Sequence, residues 1–531
     1  MDIDETQKIL LEDFMKKSLW LRILSFVIVA MMALSVFAAC DNGGDDNGNG
    51  KDKNNGNEKT TDVENSTHGE EATQEASPDS VGIEKTNFDD EFYLSVMNAC
   101  NPIDLYWLEE SKGDAMDEAV WARQEKIFNY IGVSIKGKKT LTHTEYAQEF
   151  KTAVQNKDGS VDSILTHVST GVTSMIQEGY FKDFQDVEGI DLEQEFWNHD
   201  FMESLSIADN YYLGFNDSNI LYTYVIAFNK KMLNEINLDN YNEALLYESV
   251  KNGTWTLDKF LELAQLSFQD KGSEDKHVYG LVGVQWVPWC GFLHAGGINL
   301  VEMNEEGKYE ISIMNDANKE RTADLVDKLK NYSGSGYGQF TFQTSSEVPS
   351  ARLTNNRALM ELTSTHSLEG YLNYDISFGV LPYPMYDTDQ YDPESESLGY
   401  RSLQWGGYFG IPTYQRNELM TGTTLELMAF YSKPVQTTFY EKLLGKQVSE
   451  APDDAKMLDI VWNGVCSDMG QTFNDETRVL YFLPQVTWNG TGGQELVSYH
   501  ASVAPVGNRN LTAFIKKVDK MAKAQDKQNG K

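Results

Sequence analysis

The sequence predicts an α/β fold built on parallel β-strands, and three observations support that class. From residue 92 onward, short apolar segments that suit strands alternate with amphipathic segments that suit helices. Residues 81–531 are long enough to bury the cores of roughly two or three ordinary domains. The chain has only 4 cysteines, widely spaced, so packing rather than a disulfide framework must hold the fold together.

The first strand–helix–strand unit lies at residues 92–135. Residues 92–97 (FYLSVM) predict one strand and residues 131–135 (IGVSI) a second. Between them, residues 117–130 place Val120 and Ile127 at helical spacing. A strand, a helix and a strand in this order predict a parallel pair of strands.

The same pattern continues over residues 146–179. We predict a helix at 146–156, a strand at 160–165, a polar loop at 166–171 and a helix at 172–179. Open α/β sheets bind ligands in the loops at the carboxyl ends of their strands. We therefore expect ligand contacts in the loops that follow the predicted strands.

The N-terminal residues predict export. Two lysines, Lys16 and Lys17, precede an apolar run that ends in small residues before Cys40. Residues 37–40 (FAAC) resemble the bacterial lipobox, with Phe37 in place of the usual leucine, so we expect Cys40 to carry lipid, palmitate included. Residues 1–39 are then a signal peptide, with Met15 as an alternative start. An uncleaved membrane anchor and plain secretion are the open alternatives.

Residues 40–85 predict an acidic, disordered linker that follows the lipid anchor. Residues 41–80 contain no aromatic side chain and almost no aliphatic one, so this stretch cannot bury a core. The expected location of the protein is the extracellular face of the cell membrane.

The charge balance excludes one class of partner. The formal net charge is −37, and no basic patch in the sequence offsets it. Such a chain repels nucleic acid and stays soluble. We expect no nucleic-acid partner and a monomeric state.

Aromatic residues make up 12% of the chain, with 27 tyrosines and 10 tryptophans. Flat amphipathic rings stack on sugars, although most rings in any protein fill its core. With Cys40 lipidated, Cys100, Cys290 and Cys466 remain and allow at most one disulfide. The usual metal-ligand spacings are absent, so we predict no metal and no cofactor.

Five segments in sequence order resemble the bacterial extracellular solute-binding proteins of the maltose-binding type, the capture components of ABC sugar importers. These segments are 162–184 (DSILTHVSTGVTSMIQEGYFKDF), 222–233 (YTYVIAFNKKML), 251–264 (KNGTWTLDKFLELA), 357–384 (RALMELTSTHSLEGYLNYDISFGVLPYP) and 400–412 (YRSLQWGGYFGIP). The long, acidic lipoprotein branch of Gram-positive bacteria is the most similar.

The resemblance implies a two-lobed, periplasmic-binding-protein-like fold of type II, with a hinge between two α/β lobes. It divides the chain into a first lobe at 86–227, a second lobe at 228–350, a return to the first lobe at 351–407, and C-terminal helices on the second lobe at 408–531. Closure of the lobes around the ligand is what a membrane permease would recognise.

The expected ligand-binding residues lie in strand-end loops and near the hinge crossings. They are Asn98 and Asn101 after the first strand; His167, Ser169 and Thr170 in the loop that matches the family's ligand-facing one; Tyr222 at the first crossing; Trp286 and Trp289 in a Gly-rich stretch; and Trp405 on the second crossing. Each tryptophan has the alternative of being a core residue.

The resemblance implies a substrate-binding lipoprotein that is not an enzyme. It would capture a carbohydrate, most simply an oligosaccharide, between its lobes and deliver it to an ABC permease. One alternative is a surface glycoside hydrolase, which needs two carboxyls at a defined separation. A ligand-binding subunit of a sensory system is the other alternative.

Overall fold

The structure is a computed structural model that describes residues 77–97, 103–140, 142–168, 171–219, 223–341, 347–487 and 494–529. It contains two main β-sheets, one of four strands and one of five, with helices packed around both. The strands are β1 Asp90–Met97, β2 Val133–Thr140, β3 Ser163–Thr166, β4 Tyr224–Asn229, β5 Tyr279–Val284, β6 Val301–Met303, β7 Tyr309–Ile311, β8 Gly338–Thr341, β9 Ala358–Ser364, β10 Phe378–Leu381, β11 Ser402–Leu403, β12 Tyr408–Gly410 and β13 Val465–Cys466.

The α-helices connect and cover these strands. They are α1 Ala115–Ile131, α2 His143–Asn156, α3 Val172–Gln177, α4 His199–Glu203, α5 Lys230–Ile236, α6 Glu243–Lys251, α7 Leu257–Leu266, α8 Val287–Ala295, α9 Lys319–Gly334, α10 Glu347–Thr354, α11 Thr365–Tyr371, α12 Glu418–Phe430, α13 Lys433–Leu444, α14 Pro452–Asn463, α15 Met469–Thr472, α16 Asn474–Thr477, α17 Phe482–Thr487 and α18 Leu496–Asn529.

The four-stranded sheet has the order β12-β3-β1-β2. Strand β1 runs parallel to both β2 and β3, and β12 pairs antiparallel with β3. The predicted parallel pair of strands in the first unit is confirmed, and β2 continues to Thr140, beyond the predicted strand.

Helix α1 shows why the first unit folds as predicted. The Asp114 side chain accepts the backbone N–H of Asp117 at 2.9 Å and so caps the first turn. The helix ends at Gly132, whose φ of 69° lies in the left-handed region that favours glycine. Val120 and Ile127 lie on its buried face. Local sequence therefore sets both ends and the packed side.

The five-stranded sheet has the order β10-β4-β9-β5-β8. Strand β9 lies at its centre, antiparallel to β4 and parallel to β5. All seven residues of β9 are buried. Helix α7 precedes β5, and Thr256 caps it as the sequence predicts, accepting the backbone N–H of Lys259.

Two expected segment assignments are wrong. Residues 351–407 do not return to the first sheet, because β9 and β10 join the five-stranded sheet with β4 and β5. Residues 408–531 are not confined to the second lobe, because β12 pairs with β3 and α18 packs on α3. Strand pairing joins residues that are far apart in the chain, and local patterns carry no signal for the partner.

A buried charge cluster joins the five-stranded sheet to α14. The ammonium of Lys230, the first residue of α5 directly after β4, lies 2.7 Å from Asp454 of α14 and 2.7 Å from Glu243 of α6. Lys230 and Asp454 are both buried, and the Tyr247 hydroxyl donates to Asp454. The charges are therefore paired and hydrogen-bonded, as buried ions must be.

Within the described residues, no helix combines the length and the apolar character needed to cross a membrane. Cys40, the predicted signal peptide and all of the predicted linker before residue 77 lie outside those residues.

Candidate functional site: the hinge and its aromatic rings

Two passes of the chain between the sheets run side by side. The first pass leads from β3 to β4 and the second from β10 to β12. Thr223 on the first pass pairs with Gln404 on the second, and the Thr223 hydroxyl donates to the Leu403 carbonyl at 2.7 Å. Strand β13 then pairs with β11 on the second pass. Together these segments form the hinge region.

Trp405 and His167 meet beside this hinge. His167 directly follows β3, and its ring lies edge-to-face with the Trp405 indole at a centroid distance of 5.8 Å. His167 is 3% exposed, whereas Trp405 is only partly buried. The carboxyl end of β3 therefore contacts a tryptophan that remains partly exposed.

The glycines after Trp405 hold this contact. Gly406 has a φ of 128°, and a Cβ atom there would lie 2.1 Å from Cδ2 of His167. The backbone N–H of Gly407 donates to the Thr166 carbonyl at 3.1 Å. Only glycine fits this close approach, so the pair of glycines is part of the site's construction.

Trp286 forms a second aromatic surface at the end of β5. Its indole stacks on the Tyr481 ring at a centroid distance of 4.0 Å and an interplanar angle of 19°. Both side chains are partly buried. Burial raises the pKa of the Tyr481 hydroxyl, so the phenol is neutral at physiological pH and can donate a hydrogen bond. Trp286 thus occupies the strand-end position where ligands bind in such sheets.

Trp289 is a core residue, which corrects the expectation that it contacts ligand. Its side chain is 0% exposed, and its indole N–H donates to the Thr487 hydroxyl at 2.8 Å. Its ring also packs edge-to-face against Phe292 and Phe340. Trp289 is the third residue of α8, three positions after Trp286. The helix directs its side chain into the core.

The remaining predicted residues fall outside the part of the chain that the structure describes. They are Asn98, Asn101, Ser169, Thr170 and Tyr222. Their roles in ligand binding stay predictions.

Buried amides next to the rings were not among the sequence predictions. Gln285 precedes Trp286 and is 2% exposed, and its Nε2 finds no partner among the described residues. Asn219 donates to the Gly407 carbonyl and accepts the backbone N–H of Asn216 at 2.7 Å. The sequence signal for Gln285 was its position directly after β5. The sequence signal for Asn219 was its position directly before the first crossing between the sheets.

Two of the three cysteines that could form a disulfide lie within the described residues. Cys290 is buried, with its thiol 3.3 Å from the Trp286 carbonyl, and Cys466 lies on β13. Both are free cysteines, and Cys100 lies outside the described residues. Burial raises the pKa of the Cys290 thiol, so it is unreactive.

The model of one protein family matches residues 129–445, which is more than half of the chain. That family is described as bacterial extracellular solute-binding protein, and this chain belongs to it. Family membership implies an extracellular or periplasmic location. The members are binding proteins rather than enzymes. No curated protein matches the chain in sequence.

Several solved structures resemble this chain at low sequence identity. A sugar transporter from Rhizobium etli in an open conformation has a TM-score of 0.50 at 13% identity, covering 80% of this chain and 99% of that one. A solute-binding protein from Thermotoga lettingae bound with α-D-tagatose has a TM-score of 0.48 at 14% identity, covering 81% and 100%. The GacH receptor of Streptomyces glaucescens has a TM-score of 0.47 at 14% identity, covering 81% and 98%. The Rhizobium match shows the two-lobed periplasmic-binding-protein fold.

Proposed function

We propose that this protein is the substrate-binding component of an ABC transporter and that it captures an oligosaccharide between its two lobes. The observation that supports this proposal is the pair of partly buried indoles, Trp405 and Trp286, one beside each sheet. An indole face matches the apolar face of a sugar ring, while nearby amides and hydroxyls match its hydroxyl groups.

Capture requires contributions from both lobes. Trp405 lies on the second pass of the hinge against the end of β3, in the four-stranded sheet, and Trp286 follows β5, in the five-stranded sheet. A ligand that touches both rings in the closed state, and one ring in the open state, binds the closed state more tightly. That difference in affinity is the free energy that drives closure.

Delivery and attachment complete the proposal. The closed form would dock on a membrane permease, and a lipid on Cys40 would keep the protein on the outer face of the cell membrane. The ligand-binding form would be a monomer. The predicted acidic linker at 40–85 would let the two-lobed body reorient between capture and docking.

Titration calorimetry of the purified protein with maltotriose, cellotriose and xylotriose tests the site. We expect Trp405→Ala to weaken the best sugar about tenfold, since losing a stacked ring costs about 1–2 kcal/mol. Trp286→Ala should behave similarly. Trp121→Ala is the matched control, because this partly buried tryptophan lies on α1. Equal affinity in all three variants would refute the assignment of these rings.

A further inference from the structure

A cavity of about 280 Å³ lies beside the hinge and shares none of its lining residues with the aromatic site. Residues from α4, from the segment before β11 and from β13 form its walls. Its size approaches that of small-molecule sites, which begin at about 300 Å³. Its lining is mostly polar, with amide, hydroxyl, carboxylate and guanidinium groups.

One wall of this hinge cavity is attached to the four-stranded sheet. The wall is formed by Asn198, Asp200 and Ser204. The backbone N–H of Asn198 donates to the Phe215 carbonyl at 3.0 Å, and the neighbouring Gly214 pairs with β12. This wall therefore moves with the four-stranded sheet.

The opposite wall is joined to the five-stranded sheet. It includes Arg401 and Asn463, which precede β11 and β13. Asn463 ends α14, and α14 packs on β10 and is held by the Lys230–Asp454 ion pair. The cavity thus spans two bodies that rotate relative to each other when a two-lobed binding protein closes.

The two walls carry opposite charges. Asp200 supplies a carboxylate from one wall and Arg401 a guanidinium from the other. Arg401 donates a hydrogen bond to the side-chain oxygen of Asn299 at 2.7 Å and also contacts the Cys466 thiol, and the remaining N–H groups of its fork are further donors. Within the described part of the chain, neither side chain forms an ion pair.

We propose that this hinge cavity is a second binding site, for a zwitterion of amino-acid size. The ligand's carboxylate would pair with Arg401 and its ammonium with Asp200, while Asn198 and Asn463 supply amide groups for a polar side chain. Arginine binds carboxylates with two parallel hydrogen bonds, which gives such a site directional specificity. The site is separate from the sugar site and does not depend on the proposed sugar specificity.

Occupancy of the hinge cavity is linked to closure. A zwitterion that bridges the two walls favours one distance between them, and lobe rotation changes that distance. A ligand that closes the lobes therefore changes the affinity for the zwitterion. The zwitterion changes the affinity for that ligand by the same factor, because the coupling free energy between two sites is reciprocal.

The test is titration calorimetry of the purified protein with L-serine and L-glutamine, with N-acetyl-L-serinamide as the uncharged control probe. We expect at least one amino acid to bind with a Kd below about 1 mM and the uncharged probe not to bind. Asp200→Asn and Arg401→Gln should each weaken binding at least tenfold, and Ser204→Phe should abolish it by filling the cavity. Arg321→Gln, which breaks a partly exposed ion pair with Asp387 away from the cavity, is the matched control.

Three results would overturn the proposal. They are no binding of either amino acid, equal binding in the Asp200 and Arg401 variants, and loss of binding in Trp405→Ala, which would place the amino acid in the aromatic site. Asp200 is exposed, so its variant should fold even if the Arg401 variant does not. Sugar titrations of the same variants distinguish a failure of the zwitterion site from a failure of the proposed sugar binding.

Discussion

At the scale of single residues, the loop between β11 and β12 depends on a position without a side chain. Gly406 combines a left-handed φ of 128° with a His167 ring 2.1 Å from where its Cβ would be. Any other residue would strain the backbone and push His167 and Trp405 apart. The contact between the His167 and Trp405 rings therefore depends on Gly406 as well as on the two rings.

Gly406→Ala should therefore lower both stability and sugar affinity. We expect a loss of about 1–3 kcal/mol in unfolding free energy, because backbone strain adds to the clash. Gly272→Ala is the control, since Gly272 has a φ of 83° but nothing within 4 Å of its Cβ position. Chemical denaturation of both variants measures the difference. Equal losses would show that the contact with His167 does not constrain the loop.

At the scale of elements, strand β9 carries a carboxyl in the middle of a sheet. Glu361 is 0% exposed, and burial raises the pKa of its carboxyl to about 8, although the Ser350 hydroxyl donates to it at 2.9 Å. The group is therefore neutral in the folded protein near neutral pH and ionised in the unfolded chain. Folding is favoured by this group at low pH, and that contribution is lost as pH rises to about 8.

Glu361→Gln should remove part of the pH dependence of stability. The unfolding free energy of the natural protein should fall by a few kcal/mol more than that of the variant between pH 5 and pH 8.5. Urea denaturation at a series of pH values measures this, with the exposed Glu125→Gln on α1 as the control. Parallel pH profiles for the natural protein and Glu361→Gln would contradict the raised pKa.

Helix α14 forms one buried and one exposed ion pair with lysines of the helices that follow β4, and the two pairs can be compared. Lys230→Met should cost about 3–5 kcal/mol, because it leaves the buried Asp454 carboxylate without its cation. Lys251→Met, which removes the exposed pair between Lys251 and Asp453 at 2.5 Å, should cost less than about 1 kcal/mol. Denaturant unfolding of the two variants gives both values. Similar costs would show that burial of the Lys230 pair does not matter.

Local features of the fold were predictable from sequence, and pairing at long range was not. The cap at Thr256 and the helix that packs Val120 follow from spacing within about 20 residues. The parallel pair of β1 and β2, whose paired residues are 43 positions apart, follows from the strand–helix–strand order. The position of β9 between β4 and β5 depends on partners more than 70 residues away, and no local pattern specifies it. The lobe boundaries predicted from the order of segments failed for that reason.

The candidate site was predictable in part. Trp405 and Trp286 were predicted as ligand contacts because glycines and a proline beside a tryptophan are unusual in a packed core. Both are partly buried in the structure, and their contact with a ligand stays a prediction. Trp289 satisfied the same pattern and yet is buried, because a helix begins at Val287 and turns it inward. Tyr481 was missed, since it reaches Trp286 only through tertiary packing.

At the scale of the whole molecule, the proposed function depends on movement between the two sheets, which the hinge region connects. Each sheet has an aromatic residue at a strand end, and the hinge connects them through Thr223, Gln404 and β13. A ligand that contacts both sides of the hinge in the closed state lowers the free energy of that state more than that of the open state. Capture and release of an unchanged sugar is the behaviour that this arrangement predicts.

The most direct test of that claim is thermal unfolding of the purified protein with a panel of mono- and oligosaccharides, each checked afterwards for cleavage. A sugar at 100 times its Kd should stabilise the protein by about 2.7 kcal/mol and be recovered intact. A shift that decays as the sugar is cut would make the protein a glycoside hydrolase. The absence of a shift with every sugar would contradict the carbohydrate specificity and leave the two-lobed binding fold with another ligand.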